Sequence, residues 1–255
     1  MPMNPRLLRP RQTGFDPKSI SGLFAWWDFS DLTTVTSTGS NITAVADKSG
    51  NSRTASQAVG NNQPILVASA RNGLSVAEFD GVNDALDATA GSFQFTSLTV
   101  FATAIANGAG GGNIGRILER ASSGMSLRRD NTNVAMTFAP PWLSATGNGV
   151  QRSAANTFPL ATWLLLGMRY TGGAVTETDV QPRINRAGST AGLTGTRDSF
   201  ATTQSETINI GNRSLADGYD RGWAGRIGEI LVFTASLSDS QVAAVESYLF
   251  KKWGF

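Results

Sequence analysis

The chain has 255 residues, 28 of them glycine, with no cysteine, no histidine and only 16% charged residues. These absences exclude disulfides, thiolate or imidazole metal sites, a thiol nucleophile and a Ser-His-Asp triad. Net charge is +2, with arginine outnumbering lysine 17 to 4; the arginines are scattered along the chain, so charge does not point to nucleic acid as a partner.

Residues 1–19 read as an extended arm. Pro2, Pro5, Pro10 and Pro17 forbid a regular helix and remove donors from any strand. Arg6, Arg9 and Arg11 precede the first acid, Asp16. Two readings stand side by side: a disordered tail, or a tether in which Arg6, Leu7, Leu8, Arg9 and Arg11 dock on a neighbouring subunit of a homo-oligomer or of a larger assembly. The opening residues lack the apolar stretch of a secretory signal, and no segment approaches the ~18 apolar residues of a membrane span. The expectation is a protein made in a reducing cytoplasm, with no membrane partner.

From Leu23 onward, short apolar runs alternate with turn signals. Strands are predicted at 23–29, 76–79, 85–86, 98–105, 114–119, 125–128, 133–138, 162–170, 207–211 and 227–233, with Gly-, Asn- and Asp-rich connections. That spacing argues for a β-sandwich or barrel. One segment has helical period: Ser238 and Gln241 fit a capping box, and Val242, Val245, Leu249 and Trp253 recur at three- and four-residue steps. Lys251 and Lys252 suit the last turn, and Gly254 ends it.

Four segments, in order, resemble the concanavalin A-like lectin/glucanase fold, and more narrowly the laminin-G-like jelly rolls found in bacterial and bacteriophage proteins. They are Leu23–Asp28 with the turn Asp47-Lys48-Ser49-Gly50-Asn51; the hairpin Phe79-Asp80-Gly81-Val82-Asn83-Asp84; the strand from Trp163 to Tyr170; and Trp223 to Phe233 followed by the terminal helix. The resemblance covers about residues 20–255 and implies an all-β, two-sheet antiparallel jelly-roll sandwich with one C-terminal helix. The resemblance to lectin-like domains of phage virions, taken with the basic arm and the missing third acid of the glucanase pattern, leads to the expectation of a non-enzymatic structural or binding protein of a phage virion, decorating a capsid or tail and held to other virion proteins by the arm. The alternative is a carbohydrate-binding module contacting host-surface glycans.

Candidate sites follow from residue chemistry. Trp142, Tyr219 and Trp223 sit in or near loops and could stack on sugar rings, whereas Trp26, Trp27 and Trp163 read as core. Asp80, Asn83, Asp84 and Asp87, or Asp217 and Asp220, are oxygen-rich enough to make Ca2+ possible, although calcium wants six to eight oxygens and Asx turn chemistry explains the same residues; no other cofactor is expected. A glycosidase needs two facing carboxylates. The fragments Glu78-Phe79-Asp80 and Glu177-Thr178-Asp179 each lack the third acid of the glucanase pattern, so hydrolysis ranks last. Gly110-Gly111-Gly112-Asn113-Ile114-Gly115 matches G-x-G-x-x-G, but no helix follows to receive a pyrophosphate, and a hairpin loop is the expectation.

Overall fold

The computed structural model describes residues 14–92, 96–120, 125–139, 150–172, 180–189, 193–194, 205–215 and 218–255. The arm residues Arg6, Leu7, Leu8, Arg9 and Arg11 fall outside the described residues, as do Trp142, Asp217 and the Glu177-Thr178-Asp179 fragment. The near-continuous apolar run at Leu98 forms the strand Leu98–Ala106. It pairs antiparallel with Trp163–Tyr170 on one side and with Ala224–Phe233 on the other. Its composition reflects burial on both faces. Val100, Ala102 and Ala104 enter the larger hydrophobic cluster, while Phe101 enters a second cluster on the opposite face.

Pairing continues in two directions. Trp163–Tyr170 pairs with Val180–Ile184. Ala224–Phe233 is shared along its length, pairing Leu23–Asp28 at its end and Leu74–Asp80 at its start. Leu74–Asp80 pairs with Ile65–Arg71, which touches Asn41–Val45 through the single pair Asn41 and Ile65. From there the ladder runs through Ala55–Ser56, Leu86–Ser92, Ser205–Ile210, Arg116–Arg120, Ser126–Asp130 and Ala135–Ala139. Among the described residues, 18 strands thus belong to one continuous antiparallel ladder, with a separate small pair at Ser214–Leu215 and Gly218–Tyr219. The fold is mostly β with a single C-terminal helix. Hydrogen bonding joins the strands through Asn41 and Ile65 instead of leaving the two separate sheets expected from the sequence.

The helix is Asp239–Trp253. Ser238 caps it as its sequence predicts: the Gln241 amide donates to the Ser238 hydroxyl at 3.3 Å, and the Ser238 amide donates to the Gln241 side chain at 2.9 Å. Val242, Val245, Leu249 and Trp253 are buried against Trp26, Val76, Phe101, Leu165, Leu231 and Phe233. Gly228 permits that approach, since a Cβ there would lie 2.5 Å from the Trp253 ring. Alternation explains the remaining pattern: Leu164, Leu166 and Met168 face the larger cluster, and Trp163 and Leu165 face the helix. Among the described residues no helix is long and apolar enough to cross a membrane.

Charges buried under the helix lock it in place. The Glu229 carboxylate, fully buried, accepts from Trp26 at 2.7 Å, Tyr248 at 2.8 Å, Lys252 at 2.7 Å and Trp253 at 2.9 Å. Lys252 also reaches Asp28 at 2.8 Å, and Lys48 bridges Asp28 and Asp31 at 2.8 and 2.7 Å. The Asp47-to-Asn51 turn serves the same end. Asp47 accepts from the Trp26 amide at 2.9 Å, and Asn51 donates to the Leu23 carbonyl at 2.9 Å. Every one of these groups gains a partner, the condition under which buried charge is tolerated.

Candidate functional site

The strands Leu86–Ser92, Ser205–Ile210, Arg116–Arg120 and Ser126–Asp130 alternate apolar and polar residues, and their register sorts these onto opposite faces. Leu86, Ile210, Leu118 and Leu127 lie opposite one another across the ladder and all belong to the core. One residue away, Ser56, Asp87, Asn209, Glu119 and Ser126 are likewise aligned strand to strand. A polar row therefore crosses the sheet face turned away from the core.

A register shift extends that row. Leu127 pairs with Leu118, but Arg128 pairs with Arg116, so Ile117 is the extra residue of a bulge. The bulge brings Arg116 onto the same face as Glu119 and Arg128. Arg116 and Glu119 form an ion pair in which both side chains are almost wholly buried. Arg128 stands opposite Thr137 and donates to its hydroxyl at 2.9 Å.

The segment after Ile210 folds over this face. Tyr219 donates its hydroxyl to Asp87 at 2.6 Å and accepts from the Gln57 amide at 3.1 Å. Asn209 donates to the other Asp87 oxygen at 2.6 Å. Arg213 grips Asp220 with two donors, one at 2.8 Å, and Arg221 lies 3.1 Å from the same carboxylate. The glycine-rich loop supports this arrangement. The Gly111 amide donates to the Gly222 carbonyl at 2.9 Å, and a Cβ at Gly111 would fall 2.6 Å from the Asp220 carbonyl. The G-x-G-x-x-G match is thus a packing device that seats Asp220 and Arg221, in keeping with the loop expected there.

Electrostatics follow from burial. Desolvation, assisted by the Asp87 carboxylate, pushes the Tyr219 hydroxyl up to about 12, so it stays a neutral donor. Burial lowers Arg116 to about 10, with Arg128, Arg213 and Arg221 pushing the same way against the attraction of Glu119. Burial raises Glu119 despite the arginines around it.

The sequence candidates fare differently. Tyr219, Asp87 and Asp220 converge on this face. Trp223 does not: it is 1% exposed and packs in the core against Phe158 at 5.8 Å, so its ring is not presented to a sugar. Asp80, Asn83, Asp84 and Asp87 do not gather as a cation site, because their side chains are spent elsewhere. Asp80 accepts from the Val82 amide at 2.8 Å and Asp84 from the Asp80 amide at 2.9 Å. Asn83 donates to Asn62 at 2.9 Å, and Asp87 serves Tyr219 and Asn209. Among the described residues no group of three or more acids is placed to hold a metal ion. Glu78 is ion-paired with Arg226 and Asp80 caps its own turn, so this fragment does not present two facing carboxylates. Arg116, Glu119 and Arg128 escaped sequence reasoning because they sit in runs that read as core strand.

No family model and no curated protein matches the chain. Solved structures do. A Trypanosoma rangeli sialidase in complex with sialic acid matches with TM-score 0.57 and 13% identity, over 91% of this chain and 33% of that one. Domain 4 of AbnA, a GH43 extracellular arabinanase from Geobacillus stearothermophilus in complex with arabinotriose, matches with TM-score 0.52 and 13% identity, over 88% of this chain and 98% of that one. The binding domain of Botulinum Neurotoxin DC in complex with SialylT matches with TM-score 0.55 and 11% identity, over 92% and 52%. The chain spans about a third of the sialidases' length. At these identities the likeness is one of fold. It nevertheless overturns the expectation that the chain is not an enzyme, since the fold occurs within sialidases and an arabinanase. It gives no support to a virion role, and it is consistent with glycan binding.

Proposed function

We propose that the chain is a glycan-binding domain whose binding face is the polar row centred on Asp87, Asn209 and Tyr219. One observation carries this reading: a line of side chains with both donors and acceptors crosses the sheet face opposite the core, buried at Asn209, Glu119 and Ser126 and opening to partial exposure at Asp87, with the half-buried Tyr219 ring at that end. Sugar hydroxyls need such mixed donors and acceptors in fixed positions, and a ring for the apolar side of the pyranose. Tyr219 and Asp87 are half-buried, so they remain within reach of solvent while held by their mutual bond. Solved structures of similar fold in complex with sialic acid, arabinotriose and SialylT support the same reading. In this proposal the two arms of the ladder are the layers of a jelly roll, which accords with a core drawing Val100 and Leu166 from one arm and Leu118 and Ile208 from the other.

A glycan array probed with the full chain, followed by titration calorimetry on the best ligand, tests the proposal. Specific binding that weakens in Asp87→Ala is expected. An array with no bound glycan, or binding indifferent to Asp87→Ala in a chain that still folds, would overturn it.

A further inference from the structure

The arginine end of the polar face carries more than a neutral sugar requires. Arg116 and Arg128 stand opposite each other on neighbouring strands, and Arg213 and Arg221 come over them from the segment after Ile210. Four guanidiniums, Arg116, Arg128, Arg213 and Arg221, share three carboxylates: Glu119, Asp220 and, two residues beyond Arg128, Asp130, which attracts Arg128 while also accepting from the Thr132 amide at 2.9 Å and from Asn133. Positive charge is left over in a poorly solvated place. Arg116 Nη1 in addition is buried and has no hydrogen-bond partner among the described residues. A buried donor on a charged group normally has an acceptor, and a guanidinium fork fits a carboxylate with two parallel bonds. Arg213 and Arg221 are each 27% exposed, so the cluster is open to a ligand from that side.

We propose that Arg116, Arg128 and Arg221 bind the carboxylate of an acidic sugar, making the domain selective for glycans that carry sialic or uronic acid. This rests on the glycan-binding reading above and deepens it. The sugar's hydroxyls meet the half-buried Asp87 and Tyr219, with the buried Asn209 holding Asp87 in position, and its carboxylate satisfies the arginines at the other end of the row.

The test uses matched ligands that differ in the charge. The full chain is titrated with sialyllactose against lactose, with an oligogalacturonate against its methyl ester, and with sulfolactose. At least one acidic member should bind tenfold or more tighter than its neutral counterpart, with an advantage that shrinks as salt is raised. Arg128→Gln and Arg221→Gln should each remove that advantage and leave the neutral ligand within about twofold, since they delete a fork and not a hydroxyl partner. Arg221 is partly exposed, so its variant keeps the test informative if Arg128→Gln does not fold. Equal binding of charged and neutral members overturns the acidic-sugar proposal and leaves glycan binding standing. Preference for sulfolactose over both carboxylated sugars overturns the carboxylate assignment. Binding of none of the five ligands, together with an empty glycan array, removes both proposals.

Discussion

Tyr219 donates its hydroxyl to Asp87 at 2.6 Å, joining two residues 132 positions apart in the chain. The bond ties the segment after Ile210 to the strand Leu86–Ser92 and fixes the ring beside the polar row. Removing the hydroxyl leaves the ring in place and frees one Asp87 oxygen. Tyr219→Phe should therefore cost about 0.5–1.5 kcal/mol of stability, the net worth of one such bond. Glycan affinity should fall by about three- to tenfold, because a displaced Asp87 no longer holds its acceptor in position. Chemical denaturation and calorimetry on the same preparations separate the two effects. A stability loss with unchanged affinity would confine Tyr219 to a structural role.

Asp84 gives the fold a pH dependence of its own. Burial, with Asp80 nearby, raises its carboxyl to about 6 from an ordinary 3.8. Between those values the folded chain keeps a proton that the unfolded chain has released, so stability falls as pH rises from about 4 to 6. Asp84→Asn keeps an acceptor for the Asp80 amide and removes the titration. The variant should match the parent near pH 4 and exceed it at pH 7 by about 1–2 kcal/mol, read from urea midpoints across the range. A parent and variant with parallel pH profiles would contradict this assignment.

Lys252 holds the terminal helix to two buried acids, Glu229 and Asp28. Lys252→Met should destabilise the chain by about 3–5 kcal/mol, because it leaves the buried Glu229 carboxyl, which burial already pushes up, without its cation. Replacing both partners in Lys252→Met with Glu229→Gln should recover part of that loss, since no uncompensated charge remains. Urea unfolding of the single and double variants provides the comparison, and a double variant no better than the single one would rule out the charge as the cause.

Gly111 tests whether the glycine-rich loop serves the site. A Cβ there would press on the Asp220 carbonyl at 2.6 Å and on the Arg221 Cα at 2.8 Å. Gly111→Ala should cost about 1–3 kcal/mol from overpacking and should displace Asp220 and Arg221. Melting temperature and binding of acidic glycans should therefore fall together. An intact melting temperature would show that the loop yields without strain.

Much of the fold was legible in the amino-acid order. The Leu98 run, the alternation around Trp163 and the capping box at Ser238 report local preferences for burial and backbone geometry, and each lies where the sequence placed it. The Asp47-to-Asn51 turn and the hairpin at Asp80 were equally readable, because their hydrogen bonds close over a few residues. Trp223 departs from its sequence expectation for the converse reason: proximity to a loop in sequence says nothing about which way a ring turns, and the ring packs in the core.

The site itself was decided by tertiary structure. Asp87, Tyr219 and Asp220 were visible singly, as a cation ligand, a sugar-stacking ring and a second cation ligand; nothing local relates them. Their meeting depends on the strand Ser205–Ile210 lying between Leu86–Ser92 and Arg116–Arg120, a pairing between distant segments. Arg116 depends further on one bulged residue, Ile117, which turns its side chain from the face alternation assigns it to the face of Glu119 and Arg128. Period-two alternation specifies faces within a strand, whereas register and bulges are set by what the partner strand must bury. Composition alone established a charge-poor β protein without cysteine or histidine chemistry; long-range pairing concentrated its arginines beside a polar row.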